Sequence, residues 1–521
     1  MRKRFWVCVA LSLVVGLLGI GVGWAGEQPV FGGTFRYALS DTPPTLDQHV
    51  TTANLSTTVG QHLFETLWTF TEAWEPVPGL AKGAEVRDGG KLVVIQLREG
   101  VLFHNGKEMT SADVVASLNR WGKSAARGPV LFAHVEKLEA DGKYGVKLYL
   151  KEPFAPWATL IGFANGGPVI YPKEVVESAG KEPIAPQNYI GTGPYRFVEW
   201  KAGHEIILER FDKYANRTEK ADGLAGQRNA YFDRIVFVPV SDPGTRVNGV
   251  KAGDYDYAEY IPGDLFESLD KDPAVRTMVR KGPDWGFLFL NTKEGLMSNQ
   301  KLRQAILAAV NLVPVLRSAV GPEKLWGLNG GLMPPGTIWY TNVAAEAYNQ
   351  NNPEKARALA KEAGYKGEVI RYMSSTSYPQ IYNASVVITK QLKDAGFNID
   401  LQIYDWATVI SRRAQPNLWD LFSTFHSFVP HPMLFTFMSP AYPGWWDTPR
   451  KRQYATELTS ALTPAKQKEA MEKLQTVFYE EVPLVRTGDQ YGYDIFAPKL
   501  RGIPSSTLLV VPKAWNVWAS K

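Results

Sequence analysis

From residue 92 to residue 98 the side chains fall alternately on two faces: Val93, Ile95 and Leu97 share one, and Val94, Gln96 and Arg98 share the other, more polar one. This two-residue period predicts a half-buried β-strand. Asp88-Gly89-Gly90, just before it, predicts a tight hairpin turn, because glycine adopts the positive φ that such turns require. A second strand is predicted at residues 101–104.

The period then changes to that of a helix. Val114, Leu118 and Trp121 fall on one helical face, which indicates a helix packed on a core. Thr110 and Asp113 have the spacing of a capping box, so this helix is predicted to begin directly after Thr110. An earlier amphipathic helix is predicted over residues 55–67.

Two later regions have the pattern of parallel crossover units. Residues 235–240 and 255–258 predict strands on either side of a helix that Asp242 caps and Gly253 ends. Residues 368–373 and 398–404 predict a second strand pair, around a helix ending at Gly396. Crossovers of this kind place the chain in the α/β class.

The amino terminus has the pattern of a signal peptide. Three basic residues, Arg2 to Arg4, precede a nearly uncharged apolar run, and Gly23 and Ala25 occupy the −3 and −1 positions that signal peptidase reads. We predict cleavage after Ala25 and a periplasmic mature protein. The alternative is a retained membrane anchor, since about 20 helical residues span about 30 Å; four glycines in the run disfavour it.

Composition and charge narrow the function classes. The only cysteine is Cys8, inside the predicted signal, so the mature chain has neither disulfides nor thiolate chemistry. The net charge of +5 falls to +2 after cleavage, which is too little to indicate nucleic-acid binding. The remaining roughly 500 residues predict two to four domains.

Several motifs together resemble the family 5 solute-binding proteins, the extracytoplasmic receptors of peptide and nickel ABC importers. The similarity is carried by Leu97-Arg98-Glu99-Gly100-Val101-Leu102-Phe103-His104-Asn105-Gly106, by Thr110-Ser111-Ala112-Asp113-Val114, and by Ile190-Gly191-Thr192-Gly193-Pro194-Tyr195. Matching segments extend from about residue 31 to about residue 502. The resemblance therefore covers essentially the whole mature chain.

The resemblance implies a bilobal type II periplasmic-binding-protein fold with an inserted domain. Lobe I is expected to combine residues 26–57, 188–282 and 488–521, with residues 58–187 as its inserted domain, and lobe II is expected at 283–487. The implied partners are a small-molecule or short-peptide ligand and the subunits of an ABC permease with a separate ATPase. The receptor itself is expected to be a monomer.

A search for chemistry gives no enzyme prediction. H-E-x-x-H, G-x-S-x-G and paired-cysteine motifs are not found in the sequence. Gly122-Lys123-Ser124 resembles the end of a phosphate loop, but Ser117 stands where the first glycine should be. His426 and His431 are the only neighbouring histidines, and no acid adjoins them. We therefore predict no catalytic residue, metal or cofactor.

The ligand pocket is expected around residues 425–432. Peptide-binding members of the family carry an aspartate here that pairs with the ligand's amino terminus, whereas this chain has Phe428 and Val429 and replaces Asp-Pro by His431-Pro432. A buried ammonium needs an anionic partner, so cargo without a free ammonium is predicted. The predicted ligand-facing residues are Ser40, Phe425, His426, Phe428 and Trp445.

Two alternative functions remain open at this point. A secreted hydrolase with an aromatic-lined cleft would also explain the 16 tryptophans, but it needs an acid and a base in the cleft. A nickel or haem carrier of the same fold is supported only by His426 and His431. The identity of the cargo does not follow from the sequence.

Overall fold

A computed structural model describes residues 27–504, 506–508 and 512–520, so the predicted signal peptide lies outside the described residues. The described segments form a mixed α/β structure. Its strands are β1 (Thr34–Leu39), β2 (Trp68–Phe70), β3 (Pro76–Pro78), β4 (Ala81–Arg87), β5 (Leu92–Leu97), β6 (Val135–Asp141), β7 (Gly145–Leu150), β8 (Tyr195–Lys201), β9 (Glu205–Arg210), β10 (Arg234–Pro239), β11 (Tyr257–Ala258), β12 (Arg276–Leu290), β13 (Trp326–Gly327), β14 (Ile370–Ser375), β15 (Ile399–Tyr404), β16 (Leu421–Ser427), β17 (Leu484–Phe496), β18 (Leu500–Arg501), β19 (Ser506–Thr507) and β20 (Trp518–Ala519).

The helices range from one turn to five turns. They are α1 (Asn54–Gly60), α2 (Ser111–Ser124), α3 (Gly128–Phe132), α4 (Trp157–Gly162), α5 (Lys173–Ala179), α6 (Pro243–Ala252), α7 (Phe266–Leu269), α8 (Gln300–Ala309), α9 (Leu312–Val320), α10 (Pro353–Glu362), α11 (Pro379–Asp394), α12 (Trp406–Arg413), α13 (Pro449–Ser460) and α14 (Pro464–Glu481). Within the described residues, none is long and apolar enough to cross a membrane.

The predicted hairpin and capped helix are confirmed. Strands β4 and β5 pair antiparallel around a turn in which Gly89 has a φ of 62°. Thr110 and Asp113 form the predicted capping box at the start of α2. A four-stranded sheet, in the order β4-β5-β7-β6, packs on this helix around a core that includes Trp121.

Two local predictions are wrong. Residues 101–104 form no strand: Leu102 makes a single bridge to Glu108, because the chain turns back at once at residues 104–106. The helix predicted over 55–67 ends at Gly60. Beyond it, the carbonyls of His62 and Leu63 accept hydrogen bonds from the backbone of the 193–195 segment, so tertiary pairing replaces the helical bonds.

One large sheet runs through the molecule. Its main path is β15-β14-β16-β12-β17-β11-β1-β10-β9-β8, with β13 and β19 pairing from the side. Both predicted crossover units are confirmed, since β10 and β11 each lie parallel to β1, and β14 lies parallel to β15. The amino-terminal strand β1 thus sits at the centre of one half of the sheet.

Strands β12 and β17 connect the two halves. They pair antiparallel over most of their length, with register shifts between Arg280 and Asp284 and between Gly286 and Phe287. The predicted lobe boundaries, 283 and 488, both fall inside these strands. The assignment of residues to lobes remains a prediction, and the irregular pairing is where a sheet of this kind bends most easily.

Candidate functional site

A cavity of about 840 Å³ lies where residues 52–165 meet residues 425–439. One side, here called the polar wall, holds six polar residues: Thr52, Asn54, Thr57, Gln61, Arg127 and Asn165. Its apolar members include Trp74 and Phe163. The opposite side, here called the aromatic wall, follows β16 and the segment after it, and includes Phe425, His426, Ser427, Phe428, Met433 and Phe435.

Asn165 organises the polar wall. Its Oδ1 accepts a hydrogen bond from Arg127 Nη2 at 3.2 Å, and its Nδ2 donates to the carbonyl of Thr52 at 3.0 Å and to Asn54 Oδ1 at 2.9 Å. The guanidinium of Arg127 lies 5.2 Å from the ring centroid of Phe163. The amide therefore fixes where the cation points, and the ring supports it from one side.

On the aromatic wall, Phe428 and His426 are both fixed by neighbouring side chains. Phe428 is 3% exposed, and its ring centroid lies 5.7 Å from that of Trp285. His426 Nε2 lies 3.0 Å from the Tyr442 hydroxyl, and its Nδ1 lies 3.2 Å from Thr436 Oγ1. Burial lowers the pKa of His426 to about 4, so its ring is neutral at pH 7.

The two sides of the cavity also contact each other directly. The ring centroids of Trp74 and Phe428 are 4.6 Å apart, with Trp74 on the polar wall and Phe428 on the aromatic wall. The backbone N–H of Ile338 donates to the carbonyl of Ala73 at 3.1 Å, and that of Ala155 donates to the carbonyl of Thr459 at 2.6 Å. The two sides therefore contact each other directly as well as facing each other across the cavity.

Within the described chain, the ionised side chains that line the cavity carry positive charge only. Among the described residues that line it, Arg127 is the only ionised side chain, and none is a carboxylate. Asp284 on β12 lies outside the lining, but its carboxyl group hydrogen-bonds the lining residue Ser427. Asp284 is exposed, but the protein around it removes enough water to raise its pKa, against the opposing effects of Ser427 and Arg280.

The structure brings together three of the five residues predicted to face the ligand. Phe425, His426 and Phe428 all line the cavity. Ser40 lies elsewhere and donates its hydroxyl to the buried carboxylate of Glu259 at 3.0 Å. Trp445 also lies outside the lining, where its indole stacks on Trp419. Their ligand-facing roles remain predictions.

The two neighbouring histidines have separate surroundings. His431 is 1% exposed, its Nδ1 accepts a hydrogen bond from the Met433 N–H at 3.1 Å, and its ring packs against Trp339. It is not part of the cavity lining, unlike His426. Within the described part of the chain, no group of three or more histidine, cysteine or acidic side chains could hold a metal.

The residues that sequence reasoning missed are Asn54, Arg127, Asn165 and Asp284. Arg127 stands in Ala125-Ala126-Arg127-Gly128, a stretch with no motif and no helical period that would mark it. Its contacts with Phe163 and Asn165 come from a loop more than 30 residues away. Only the tertiary arrangement identifies it as part of a site.

The cavity lies between the polar wall, built from residues 52–165, and the aromatic wall, which follows β16 of the large sheet. A cleft of this kind between two parts of one chain is typical of a bilobal receptor for a small solute. The family described as "Bacterial extracellular solute-binding proteins, family 5 Middle" matches residues 75–447. The chain belongs to this family of solute-binding proteins. Its fold is the type II periplasmic-binding-protein fold of the solved structures to which it is similar.

Individual relatives agree with this assignment. The chain is 29% identical over 509 residues to the "Probable peptide ABC transporter periplasmic-binding protein y4tO" of Sinorhizobium fredii. This match covers 93% of each of the two chains. AgaA from A. tumefaciens R10, solved with agropinic acid, gives a TM-score of 0.72 at 23% identity, covering 94% of this chain and 99% of that one. The ABC transporter substrate-binding protein CtaP from Listeria monocytogenes gives 0.80 at 17% identity, covering 94% and 100%.

Proposed function

We propose that the protein is the periplasmic receptor of an ABC importer and captures a peptide or peptide-like solute between its two lobes. The observation that carries this proposal is the cavity of about 840 Å³ between the polar and aromatic walls. Its size suits a small ligand. The relatives support the class of cargo, because the one from Sinorhizobium fredii is described as a probable peptide transporter component.

The proposed mechanism is a hinge motion. Lobe I consists of residues 26–57, 188–282 and 488–521 together with the inserted domain 58–187. Lobe II consists of residues 283–487. Bending at β12 and β17 opens the cleft, and a ligand favours closure because it contacts both walls only when they meet. The closed monomer then docks on the permease, and a separate ATPase supplies the energy. The predicted signal peptide delivers the chain to the periplasm.

Binding without turnover is part of the proposal. The cavity lining, among the residues the structure describes, offers no carboxylate for acid or base catalysis. His426 is neutral at pH 7, and both of its ring nitrogens are within hydrogen-bond distance of protein hydroxyls. These observations favour a receptor over the alternative of a hydrolase.

The test uses a pool of di- and tripeptides, with and without blocked ends, added to the mature protein. A ligand at 100 times its Kd stabilises a one-site receptor by about 2.7 kcal/mol. We expect a higher melting temperature, a more compact particle in small-angle scattering, and recovery of the bound compound unchanged by mass spectrometry. Recovery of a cleaved product would favour the hydrolase instead.

Two alanines provide a matched pair of variants. Ala126 is an exposed residue that lines the cavity, so the indole of Ala126→Trp takes up space that a ligand needs and should abolish the thermal shift. Ala84 is exposed on β4, outside the cavity lining, so Ala84→Trp should leave the shift intact. A thermal shift that survives Ala126→Trp would place binding elsewhere and contradict the proposal.

A further inference from the structure

Two arginines close together in the chain have opposite surroundings. Arg120, on α2, donates from Nη1 and Nη2 to the two carboxylate oxygens of Asp47 at 3.1 and 2.7 Å, and also to the carbonyls of Gly180 and Glu182. Its charge is neutralised and most of its donors are used. Arg120 is therefore a structural residue of the interior, like most buried ion pairs.

Arg127 has no such partner. Among the described residues, its guanidinium makes one hydrogen bond, to Asn165 Oδ1, and no ion pair to any carboxylate. Guanidinium carries five N–H donors in a planar fork, so four donors remain for another acceptor. The side chain is half-buried, and burial lowers its pKa with no neighbouring acid to oppose the shift.

A partly buried cation without an anion is unfavourable in the free protein, because it has lost water and gained little in exchange. The surrounding contacts nevertheless hold it in one position. Phe163 supports one side of the guanidinium at 5.2 Å, and Asn165 is itself fixed by Thr52 and Asn54. The guanidinium of Arg127 is therefore fixed in position beside a cavity without acidic side chains among its described lining residues, where it can bind an anionic group of a ligand.

We propose that Arg127, positioned by Asn165, binds the carboxylate of the cargo, and that the cavity therefore selects peptide-like solutes with a free carboxylate and an apolar body. This inference rests on the proposed function and names the end of the ligand that the polar wall recognises. The planar fork of arginine matches a carboxylate in a bidentate arrangement. The apolar body then lies against Phe425, Phe428 and Phe435.

The test compares two libraries of N-acetylated dipeptides, one of free acids and one of the matching carboxy-terminal amides, competed against each other and quantified by native mass spectrometry. Because every amino terminus is acetylated, no ligand carries an ammonium group, and the two libraries differ only at the carboxy terminus. With the unaltered protein we expect the acids to bind at least tenfold more tightly than the amides, because a hydrogen-bonded charge pair replaces a neutral contact.

Four variants locate this preference. Arg127→Gln should weaken the acids tenfold to a hundredfold and leave the amides within threefold, whereas Arg127→Lys should retain part of the preference. Asn165→Asp places a carboxylate next to Arg127 and should also weaken the acids. Lys123→Gln is the matched control, because it removes an exposed positive charge four residues away and outside the lining. It should change neither library by more than twofold.

Each other outcome is decisive. Equal binding of acids and amides, or a preference that survives Arg127→Gln, overturns the carboxylate role and leaves the receptor function standing. Equal loss of both libraries in Arg127→Gln, with an unchanged melting temperature, makes Arg127 a packing residue and also overturns it. Binding of neither library by the unaltered protein overturns both the inference and the proposed peptide-like cargo. If Arg127→Gln does not fold, Asn165→Asp and Arg127→Lys give the answer.

Discussion

The polar and aromatic walls of the cavity contribute different things to one site. The polar wall carries directional groups, the amides of Asn54 and Asn165 and the cation of Arg127. The aromatic wall offers mainly apolar surface, and its one imidazole is held by Tyr442 and Thr436. Orientation and buried area thus come from different halves of the molecule. A ligand obtains both only when the halves meet, which couples binding to closure.

The largest expected effect comes from removing the ring that joins the walls. Phe428→Ala deletes a side chain that is 3% exposed and packs on Trp74 and Trp285. Loss of such a buried ring costs about 3–5 kcal/mol in the free energy of unfolding, measured by urea denaturation. Val198→Ala, on the exposed face of β8, is the control and should cost no more than about 0.5 kcal/mol.

Peptide binding should weaken in the same Phe428→Ala variant for acids and amides alike, because apolar area is lost without regard to the ligand's end groups. This is the opposite of the result expected at Arg127. A Phe428→Ala variant that changed the acid preference and kept its overall affinity would contradict the assignment of ligand orientation to the polar wall and of apolar contact area to the aromatic wall.

A second comparison uses pH to separate stability from binding. Burial lowers the pKa of His431 to about 3, below its value of about 6.5 in the unfolded chain. The unfolded state therefore takes up the proton first, and stability is lost as pH falls below about 6.5. Between pH 7.5 and 5.5 this histidine alone should cost about 1.4 kcal/mol.

His431→Asn isolates that contribution. Asparagine can still accept the Met433 N–H bond that begins the short helix at residues 432–434, yet it does not titrate. Urea denaturation should show the loss between pH 7.5 and 5.5 reduced by about 1.4 kcal/mol in this variant. Binding of acid cargo should stay within twofold over the same range, since Arg127 remains charged and His426, with a pKa of about 4, remains neutral. An unchanged pH slope in His431→Asn would refute the assignment.

A smaller effect is expected at the ligand's amino end. Because no described lining residue is an acid, N-acetylated peptides should bind about tenfold more tightly than their free-amine forms. Thermal shifts of matched pairs measure this preference. Asp284→Asn should leave the order unchanged. Tighter binding of the free amines, lost in Asp284→Asn, would show that Asp284 binds the ammonium.

The smallest effect on affinity is expected outside the cavity. Ser40→Ala and Trp445→Ala should each change the Kd for cargo by less than twofold, measured by calorimetric titration. Both should still lower stability by about 1–2 kcal/mol, because Glu259 loses a hydrogen-bond donor and Trp419 loses its stacked neighbour. A tenfold loss of affinity in either variant would extend the site well beyond the two walls.

Sequence reasoning succeeded where the signal was local or contiguous. The capping box at Thr110 and the crossover around α11 depend on neighbouring residues, so their periods and caps predicted them correctly. Phe425, His426 and Phe428 were found because the matching family segment is continuous. The same reasoning predicted Ser40 from its place after the first strand and Trp445 from a loop that resembles the family's loop near the cleft, and both lie outside the cavity lining.

The missed residues share a physical reason. Arg127 becomes a candidate only because Asn165 and Phe163 fold against it, and because no acid does so within the described chain. The partner of Ser40, Glu259, is likewise 219 positions away in the chain. The residues near Arg127 or Ser40 in the sequence do not indicate whether an acidic side chain will lie beside them in the folded protein. The charge balance of a cavity is a property of the folded structure.

The contact between Ala155 and Thr459 has a practical consequence for observing single molecules. The two residues lie on opposite halves and touch through their backbones, and the chain's one cysteine, Cys8, precedes the predicted cleavage site. Two introduced thiols near these positions would be the only attachment points for a pair of dyes. Their energy transfer would report, molecule by molecule, how long the cleft remains shut once cargo has entered.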